Sequence, residues 1–508
     1  MWMLLLAVVS GLLLWRCYYR CWYWTRRGVV QIKLWENIKF AVRQYYMPNY
    51  EVWRDIYQNY GSVVGLLTGG TPTLMVADPV LLKEIMITDF SSFPNTQFIG
   101  RSGDPVLDNM LVALMDDEWR ATRSVVAPTF STSKIKNMVP VLNACAQDTV
   151  QSFCDVAAKN AAYDVKQIFT AYVLDVIAQT NFSIRLDSHR DANNPFVVQA
   201  KRIFGTEKWR AFFCFQFPRL STFLGLRIFA PEAIHFFADL MTDLLQRRKC
   251  YTENEMQDFI RLLMNAEPTD EDGLCAVGNG GAKPAKKRVL SRDQILAQAV
   301  LFFLAGVDTS ANTLAMSAYH LALNQDVQAR LVEELDQALR THKEITLDVV
   351  MGLPYLDAFV MEVLRISGPV TMTYRTCVKD TRVGTIPVDK GTLVRIPIYS
   401  LHHDQRYFPD PEVFDPGRFL GDNRKLIQPF TYLPFGEGPR QCVGMKFALF
   451  KVKFCLFHVL SKISFQVCPE TDIPPTHQPV ILVMIPDTVT LKVSRRKPAA
   501  VNCAFLSE

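Results

Sequence analysis

The segment Pro434–Gly444, PFGEGPRQCVG, sets one cysteine among three glycines, an arginine and a phenylalanine, at spacings suited to ligation of haem iron. A thiolate ligand needs stabilisation of its anionic form, protection from oxidation, and backbone N–H groups aimed at the sulfur to fix its position and tune its electron donation. Gly436 and Gly438 can take the positive φ values of a tight bulged loop, and Gly444 lets the chain approach a porphyrin with no Cβ in the way. From Val443 the pattern VGMKFALFKVKFCLFHVL is helical. Cys442 is therefore expected at a helix N-terminus, where the partial positive charge favours a thiolate. Arg440 is then placed to pair with a haem propionate and Phe435 to shield the sulfur. The other cysteines read as ordinary buried thiols.

Working outward, LFFLAGVDTSANTL (Leu301 to Leu314) is helical, and Ala305 and Thr309, four residues apart, share a face. A threonine hydroxyl bonded back to the carbonyl four residues earlier perturbs a helix locally; at Ala305 this opens a groove with room for dioxygen, widened by the small Gly306. Glu362 and Arg365 lie three apart on a helix, a pair that at a surface contributes only ~0.2–0.5 kcal/mol and gains value only if buried. Asp415-Pro416-Gly417-Arg418-Phe419 follows, and Trp119 with Arg123 lies upstream.

Taken together and in order, these segments resemble the cytochrome P450 superfamily, the haem-thiolate monooxygenases, over nearly the whole chain. Leu301 to Leu314 resembles the oxygen-activating helix, Glu362 to Arg365 the ExxR motif, Asp415 to Phe419 the PERF segment, and Trp119 with Arg123 the WxxxR of a propionate-contacting helix. Within the superfamily, DEWRATRSVVAPTFSTSKIKNM from Asp117 and LAGVDTS from Leu304 most resemble the clan of vertebrate drug-oxidising microsomal enzymes, thromboxane synthase and insect detoxification enzymes.

The resemblance implies a mainly α fold with a small β-rich part, haem b with an axial thiolate from Cys442, and Trp119, Arg123, Ala305, Arg375, Phe435, Arg440 and Gly444 around the cofactor. It implies Thr309 holding a water against bound dioxygen, Asp308 feeding protons from solvent, and Glu362, Arg365 and Arg418 as a buried structural trio. Two departures stand out: Gly417 replaces the usual glutamate of PERF, and Ser367-Gly368 replaces a common aromatic–proline step. The implied partners are an NADPH-cytochrome P450 reductase, with cytochrome b5 as a second donor, together with dioxygen, a lipophilic substrate and a membrane. A haem-thiolate isomerase acting on a peroxide and a haem-binding sensor without turnover stay open as alternatives. The Asp308-Thr309 pair argues for oxygen activation against both.

Composition agrees with this reading. The chain has 508 residues, 49% hydrophobic and 21% charged, enough for one large catalytic domain although it exceeds the roughly 250–300 residues at which single cores usually stop growing. A net charge of +5 is mild for this length and argues against a nucleic-acid binder. Twelve cysteines without CxxC pairs or a CxxCH site read as reduced thiols facing the cytosol, not as a disulfide framework, zinc site or covalent haem.

Met1 to Trp15 carries no charge, and apolar character continues through Tyr18, Tyr19, Trp22, Tyr23 and Trp24, broken only by Arg16 and Arg20. Residues 1–27 are expected to be a membrane anchor with an interfacial aromatic belt, and residues 28–508 the catalytic domain. Basic residues after the apolar run place that domain on the cytosolic side, and the resemblance to microsomal enzymes implies the endoplasmic reticulum membrane. A cleaved signal peptide is the competing reading, opposed by the missing basic leader. No proline appears before Pro48, where relatives usually carry a proline-rich hinge.

Short β-like runs are expected at Val63 to Val76, Val383 to Pro397 and Val480 to Val493, and an exposed loop at Pro268 to Arg288. Ser291 with Gln294 makes a capping box opening the long helix. Phe212, Phe213 and Phe215, with Phe217, Leu220, Phe223 and Leu224, resemble the region that roofs the pocket and touches the membrane. Val112, Ala113, Val370, Thr371, Ile481 and Leu482 are further pocket candidates. Lys446, Lys451 and Lys453 follow the ligand on its helix and are expected either to present positive charge to a reductase or to form a solvated face.

Overall fold

The computed structural model describes residues 21–69, 71–96, 103–191, 194–204, 207–248, 259–264, 290–479 and 483–496. The expected span within residues 1–20, the loop at 268–288, and Ile481 and Leu482 lie outside them. The helices that build the site are α1 Leu34–Tyr46, α2 Asn49–Tyr60, α3 Asp116–Val126, α4 Val139–Lys159, α5 Val165–Phe182, α6 Lys208–Gln216, α7 Pro218–Phe223, α8 Pro231–Arg248, α9 Arg292–Leu323, α10 Pro354–Ile366, α11 Ile398–His402 and α12 Met445–Leu460.

The strands are β1 Val30–Gln31, β2 Val63–Thr68, β3 Thr71–Val76, β4 Ala162–Asp164, β5 Thr373–Thr376, β6 Thr381–Val383, β7 Ile386–Val388, β8 Leu393–Ile396, β9 Ile463–Gln466 and β10 Thr490–Arg495. They form a five-stranded sheet in the order β1-β2-β3-β8-β5, a three-stranded sheet β4-β10-β9 and the hairpin β6-β7. The expected runs at Val63 to Val76 and Val383 to Pro397 fall on these strands, whereas of the run at Val480 to Val493 only the end from Thr490 does, residues 483–489 forming no strand.

The central element is α9. Its first turn is closed by the expected capping box: the Gln294 N–H donates to Ser291 Oγ at 3.1 Å, and the Ser291 N–H donates to Gln294 Oε1 at 3.0 Å. Apolar residues occur on all its faces, so it must be buried all round. It is long and apolar enough to cross a membrane, but 78% of its most apolar stretch is buried inside the protein, against α5, α8, α10 and α12. These helices and α4 share the larger hydrophobic core. A second core lies between the five-stranded sheet and α2. The strand order puts β5 at an edge of this sheet, and the register Arg375↔Val394 with antiparallel β8 sets Arg375 on it.

Residues just ahead of the expected boundary at residue 27 pack into the second core. Trp24 is fully buried in the second core, where its indole N–H donates to the Leu66 carbonyl at 3.3 Å. A Cβ on Gly65 would stand 2.1 Å from Trp24 Cγ, so only glycine admits the ring. Tyr23 is 5% exposed, and its hydroxyl and Arg27 Nη2 both donate to Asp389 Oδ2, at 2.6 and 2.7 Å. Tyr23 and Trp24 are thus core residues of the catalytic domain and not part of an interfacial belt. Their aromatic character fits both places, and the glycine that receives the indole, Gly65, lies far along the chain.

Candidate haem-binding site

The loop before α12 is built around two turns at positive φ, Gly436 at 70° and Gly438 at 75°. At Gly438 a side chain is excluded twice over, since a Cβ would also stand 2.3 Å from the Met86 carbonyl. The Gly436 N–H donates to Leu433 O at 3.0 Å and the Cys442 N–H to Phe435 O at 2.9 Å, which closes the loop. The helix itself begins at Met445, so Cys442 lies three residues ahead of the first helical residue, not within the first turn. Protein encloses Cys442, yet its side chain is open to solvent-sized space, which makes that space interior. Burial pushes its thiol pKa up; the Gly444 N–H and the Arg123 charge pull it down. A proton leaves such a sulfur most readily when a metal replaces it.

Around this loop stand three guanidinium groups. Arg440 lies 3.8 Å above the ring of Trp119, which is 1% exposed, and donates to the carbonyls of Pro94 at 2.7 Å and Leu114 at 3.1 Å. Arg123 Nη1 donates to the Gln441 carbonyl at 2.9 Å, tying α3 to the residue next to Cys442. Arg375, 1% exposed, donates to its neighbour's carbonyl and leaves Nε without a hydrogen-bond partner. Burial, followed by repulsion from Arg375 and Arg123, lowers the Arg440 pKa to about 8. Among the described residues neither Arg375 nor Arg440 has an ion-pair partner. A buried and a partly buried cation without an ion-pair partner are an unfinished electrostatic arrangement. The implied porphyrin carries two propionates, and those carboxylates would complete it. The residues present therefore fit haem.

On α9, Ala305 is exposed although Leu304 and Val307 beside it are buried, and Thr309 Oγ1 donates to the Ala305 carbonyl at 2.7 Å. The threonine's expected bond back to the carbonyl four residues earlier is thus in place. Burial raises the Asp308 carboxyl to about 6, and Lys166 on α5 draws it partly back. Lys166 is itself lowered by burial, and its Nζ donates to the Pro486 carbonyl at 2.6 Å. Nothing in the sequence near Asp308 points to Lys166, which reaches it across the α5–α9 packing.

Of the supporting trio, Glu362 and Arg365 are fully buried and Arg418 is partly buried. Arg365 grips Glu362 through two bonds of 2.7 and 2.8 Å with both side chains 0% exposed, and Arg418 Nε lies 3.4 Å from Glu362 Oε1. Sequence reasoning missed what links this cluster to the ligand loop, His402. Arg365 Nη1 donates to the His402 carbonyl at 2.7 Å, while His402 Nε2 accepts from the Leu433 N–H at 2.9 Å. Burial holds that imidazole neutral, as an acceptor must be.

Both departures have local reasons. At Gly417 the N–H donates to Asp415 Oδ1 at 2.8 Å, so the aspartate caps the turn itself. Ser367 Oγ bonds His320 Nε2 of α9 at 2.8 Å, joining the C-terminal end of α10 to α9.

The pocket candidates divide. Gln298 of α9 accepts from the Leu111 N–H at 3.0 Å and donates to the Asn109 carbonyl at 2.7 Å, which lays Val112 and Ala113 along that helix. Val370 bridges to Val483, beside the undescribed Ile481 and Leu482, and Thr371 is buried behind it. Phe215 is partly buried against the sheet core, and Phe213 packs on Phe217. Phe212 instead turns toward Tyr45 of α1, ring to ring at 5.5 Å. Only Lys446 of the three lysines is exposed. Lys451 and Lys453 are each 1% exposed, Lys453 paired with Asp357, so neither forms a charged docking face. The helix is apolar on most of its faces, and its lysines are drawn inward with it.

A family model described as cytochrome P450 matches residues 32–493. Cytochrome P450 3A11 of Mus musculus is 32% identical over 461 residues, covering 88% of this chain and 89% of its own length. Cytochrome P450 3A16 of Mus musculus is 34% identical over 463 residues, covering 90% and 89%. Cytochrome P450 3A2 of Rattus norvegicus is 32% identical over 447 residues, covering 85% and 86%.

Proposed function

The chain belongs to the cytochrome P450 family and is a haem-thiolate monooxygenase, and from that premise we propose that Cys442 supplies the axial thiolate and that the enzyme oxidises a lipophilic substrate at the endoplasmic reticulum membrane. Electrons come from NADPH through a reductase, with cytochrome b5 as a second donor. The observation that carries the site assignment is a pair of guanidiniums with no ion-pair partner among the described residues, the buried Arg375 and the partly buried Arg440, around the loop that ends in Cys442. When bound, haem supplies reductive activation of dioxygen and transfer of one oxygen atom to the substrate.

The protein's own groups do the rest. Arg440, Arg375 and Arg123 bind and orient the propionates, with Trp119 as the shelf under Arg440. Thr309, its hydroxyl proton committed to the Ala305 carbonyl, keeps its lone pairs free to hold a water in the groove. Asp308, with a pKa near 6, exchanges protons close to neutral pH and passes them to that water. Lys166 keeps the carboxylate form accessible.

A membrane location is supported by an exposed apolar stripe on α1, comprising Leu34, Trp35, Ile38, Val42 and Tyr46; no residue of this helix is buried. Phe217, Leu220, Phe223 and Leu224 extend it beside α7, and the Tyr45–Phe212 contact joins the two regions. Unpartnered apolar surface of this kind suits a lipid boundary.

The test is reconstitution with a P450 reductase and NADPH, followed by product profiling over lipid, steroid and xenobiotic pools. NADPH- and dioxygen-dependent oxygenated products are expected. Rearrangement of an organic peroxide without reductase would overturn this in favour of the isomerase.

A further inference from the structure

Lys451 lies on the second turn of α12, 1% exposed, and no carboxylate among the described residues is within ion-pairing distance of it. Its Nζ donates to the Gly306 carbonyl of α9 at 3.0 Å and lies 5.4 Å from the Phe447 ring. The backbone at the same residue is also engaged, since Tyr172 of α5 donates its hydroxyl to the Lys451 carbonyl at 3.1 Å. Lys451 thus sits where α5, α9 and α12 meet. The carbonyl it takes is next to Ala305, whose own carbonyl is taken by Thr309. Two successive carbonyls of α9 therefore each carry a side-chain donor, one from the groove and one from the helix that follows Cys442.

Burying an amine with no anion disfavours its charged form, and burial alone brings its pKa down to about 7. An apolar residue of the same length would serve packing better. What lysine adds is a donor at the Gly306 carbonyl.

We propose that Lys451 is a positioning residue for oxygen activation: it braces the turn of α9 carrying Ala305 and Thr309 against the ligand helix, so that the groove keeps its width. The proposal rests on the monooxygenase reading and on the role given there to Thr309. It links the two sides of the cofactor site through one hydrogen bond.

The test uses the full-length holoenzyme and two variants, Lys451→Met, which keeps length and loses the donor, and Lys451→Gln, which keeps a donor on a shorter arm. Hydrogen–deuterium exchange of peptides covering residues 303–312 should quicken about 2- to 10-fold in Lys451→Met, the range of one lost hydrogen bond. Peptides from α4 and α10 should not change. Product formed per NADPH should fall by a similar factor and peroxide rise, with the thiolate band and melting temperature maintained; Lys451→Gln should lie between. Unchanged exchange and coupling in a folded Lys451→Met would overturn the proposal. So would loss of haem or of the fold in both variants, which would make Lys451 a packing residue. A wild type that forms no product defeats the monooxygenase reading instead, while the exchange measurement still decides whether Lys451 holds α9.

Discussion

Cys442 is a thiol enclosed by protein but open to interior space, its anionic form opposed by desolvation and favoured by one amide and one nearby arginine. Its value as a ligand comes from the metal bond, so a weaker donor at the same place is expected to fail. Cys442→Ser should lose the strongly red-shifted Soret band of the reduced carbon monoxide complex; persistence of that band would exclude Cys442 as the ligand. At Thr309 the expected change is in coupling. Thr309→Ala should still consume NADPH but release more peroxide and less product, and a positioned proton-transfer group typically contributes about 10²–10⁴-fold to its step, softened where water fills the space. Unaltered coupling in one assay of NADPH, peroxide and product would remove Thr309 from the mechanism. Asp308 gives a pH signature. Its folded pKa of about 6 lies above the ordinary carboxylate value, so ionisation favours the unfolded chain. That cost is absent below the ordinary value, grows as pH rises, and is complete above about 6. Asp308→Asn should therefore raise the melting temperature at pH 8, leave it unchanged near pH 4, and lower coupling; an equal shift at both pH values would show that the carboxylate is not buried in the way described.

At the scale of elements, the chain from α10 to the ligand loop is one continuous set of bonds: Glu362 to Arg365, Arg365 to the His402 carbonyl, His402 to the Leu433 N–H, and Leu433 to Gly436. Glu362→Ala would strand the fully buried Arg365 charge and leave the Asp415 N–H without its acceptor, a loss of about 3–5 kcal/mol. Denaturant unfolding and haem retention should both report it, and a loss below about 1 kcal/mol, as for a surface pair, would mean that the trio does not support the pocket. The motifs of this chain were legible because their chemistry is local: a ligand loop needs glycine at particular positions, and a threonine reaches only its own preceding turn. His402, Lys166 and Lys451 were not, because each acts on a partner brought near by helix packing rather than by spacing along the chain. Lys451 and Lys453 also show how a charged residue on an apolar helix misleads, since the surrounding pattern marks the face as buried and the charge alone suggests the surface.

The whole molecule has two kinds of apolar aromatic surface near its N-terminus, and composition does not tell them apart. Trp35, Ile38 and Tyr46 remain exposed on α1, whereas Trp24 fills the sheet core. This separates two truncations that a purely sequence-based boundary would treat alike. Removing residues 1–20 takes away most of the apolar leader and keeps Tyr23, Trp24 and Arg27 in their core contacts, so haem binding and the melting temperature should be kept while membrane association weakens; the α1 stripe and the Phe217–Leu224 surface should leave part of the protein on membranes. Removing residues 1–27 also deletes Trp24, whose loss from a packed core is expected to cost about 3–5 kcal/mol, together with the Tyr23 and Arg27 bonds to Asp389. That shorter protein should melt several degrees lower and retain less haem. Fractionation of expressing cells, thermal unfolding and the reduced carbon monoxide spectrum of both truncations make the comparison. Equal stability of the two would return Trp24 to the membrane, and loss of haem from the protein lacking only residues 1–20 would make the leader itself part of the fold.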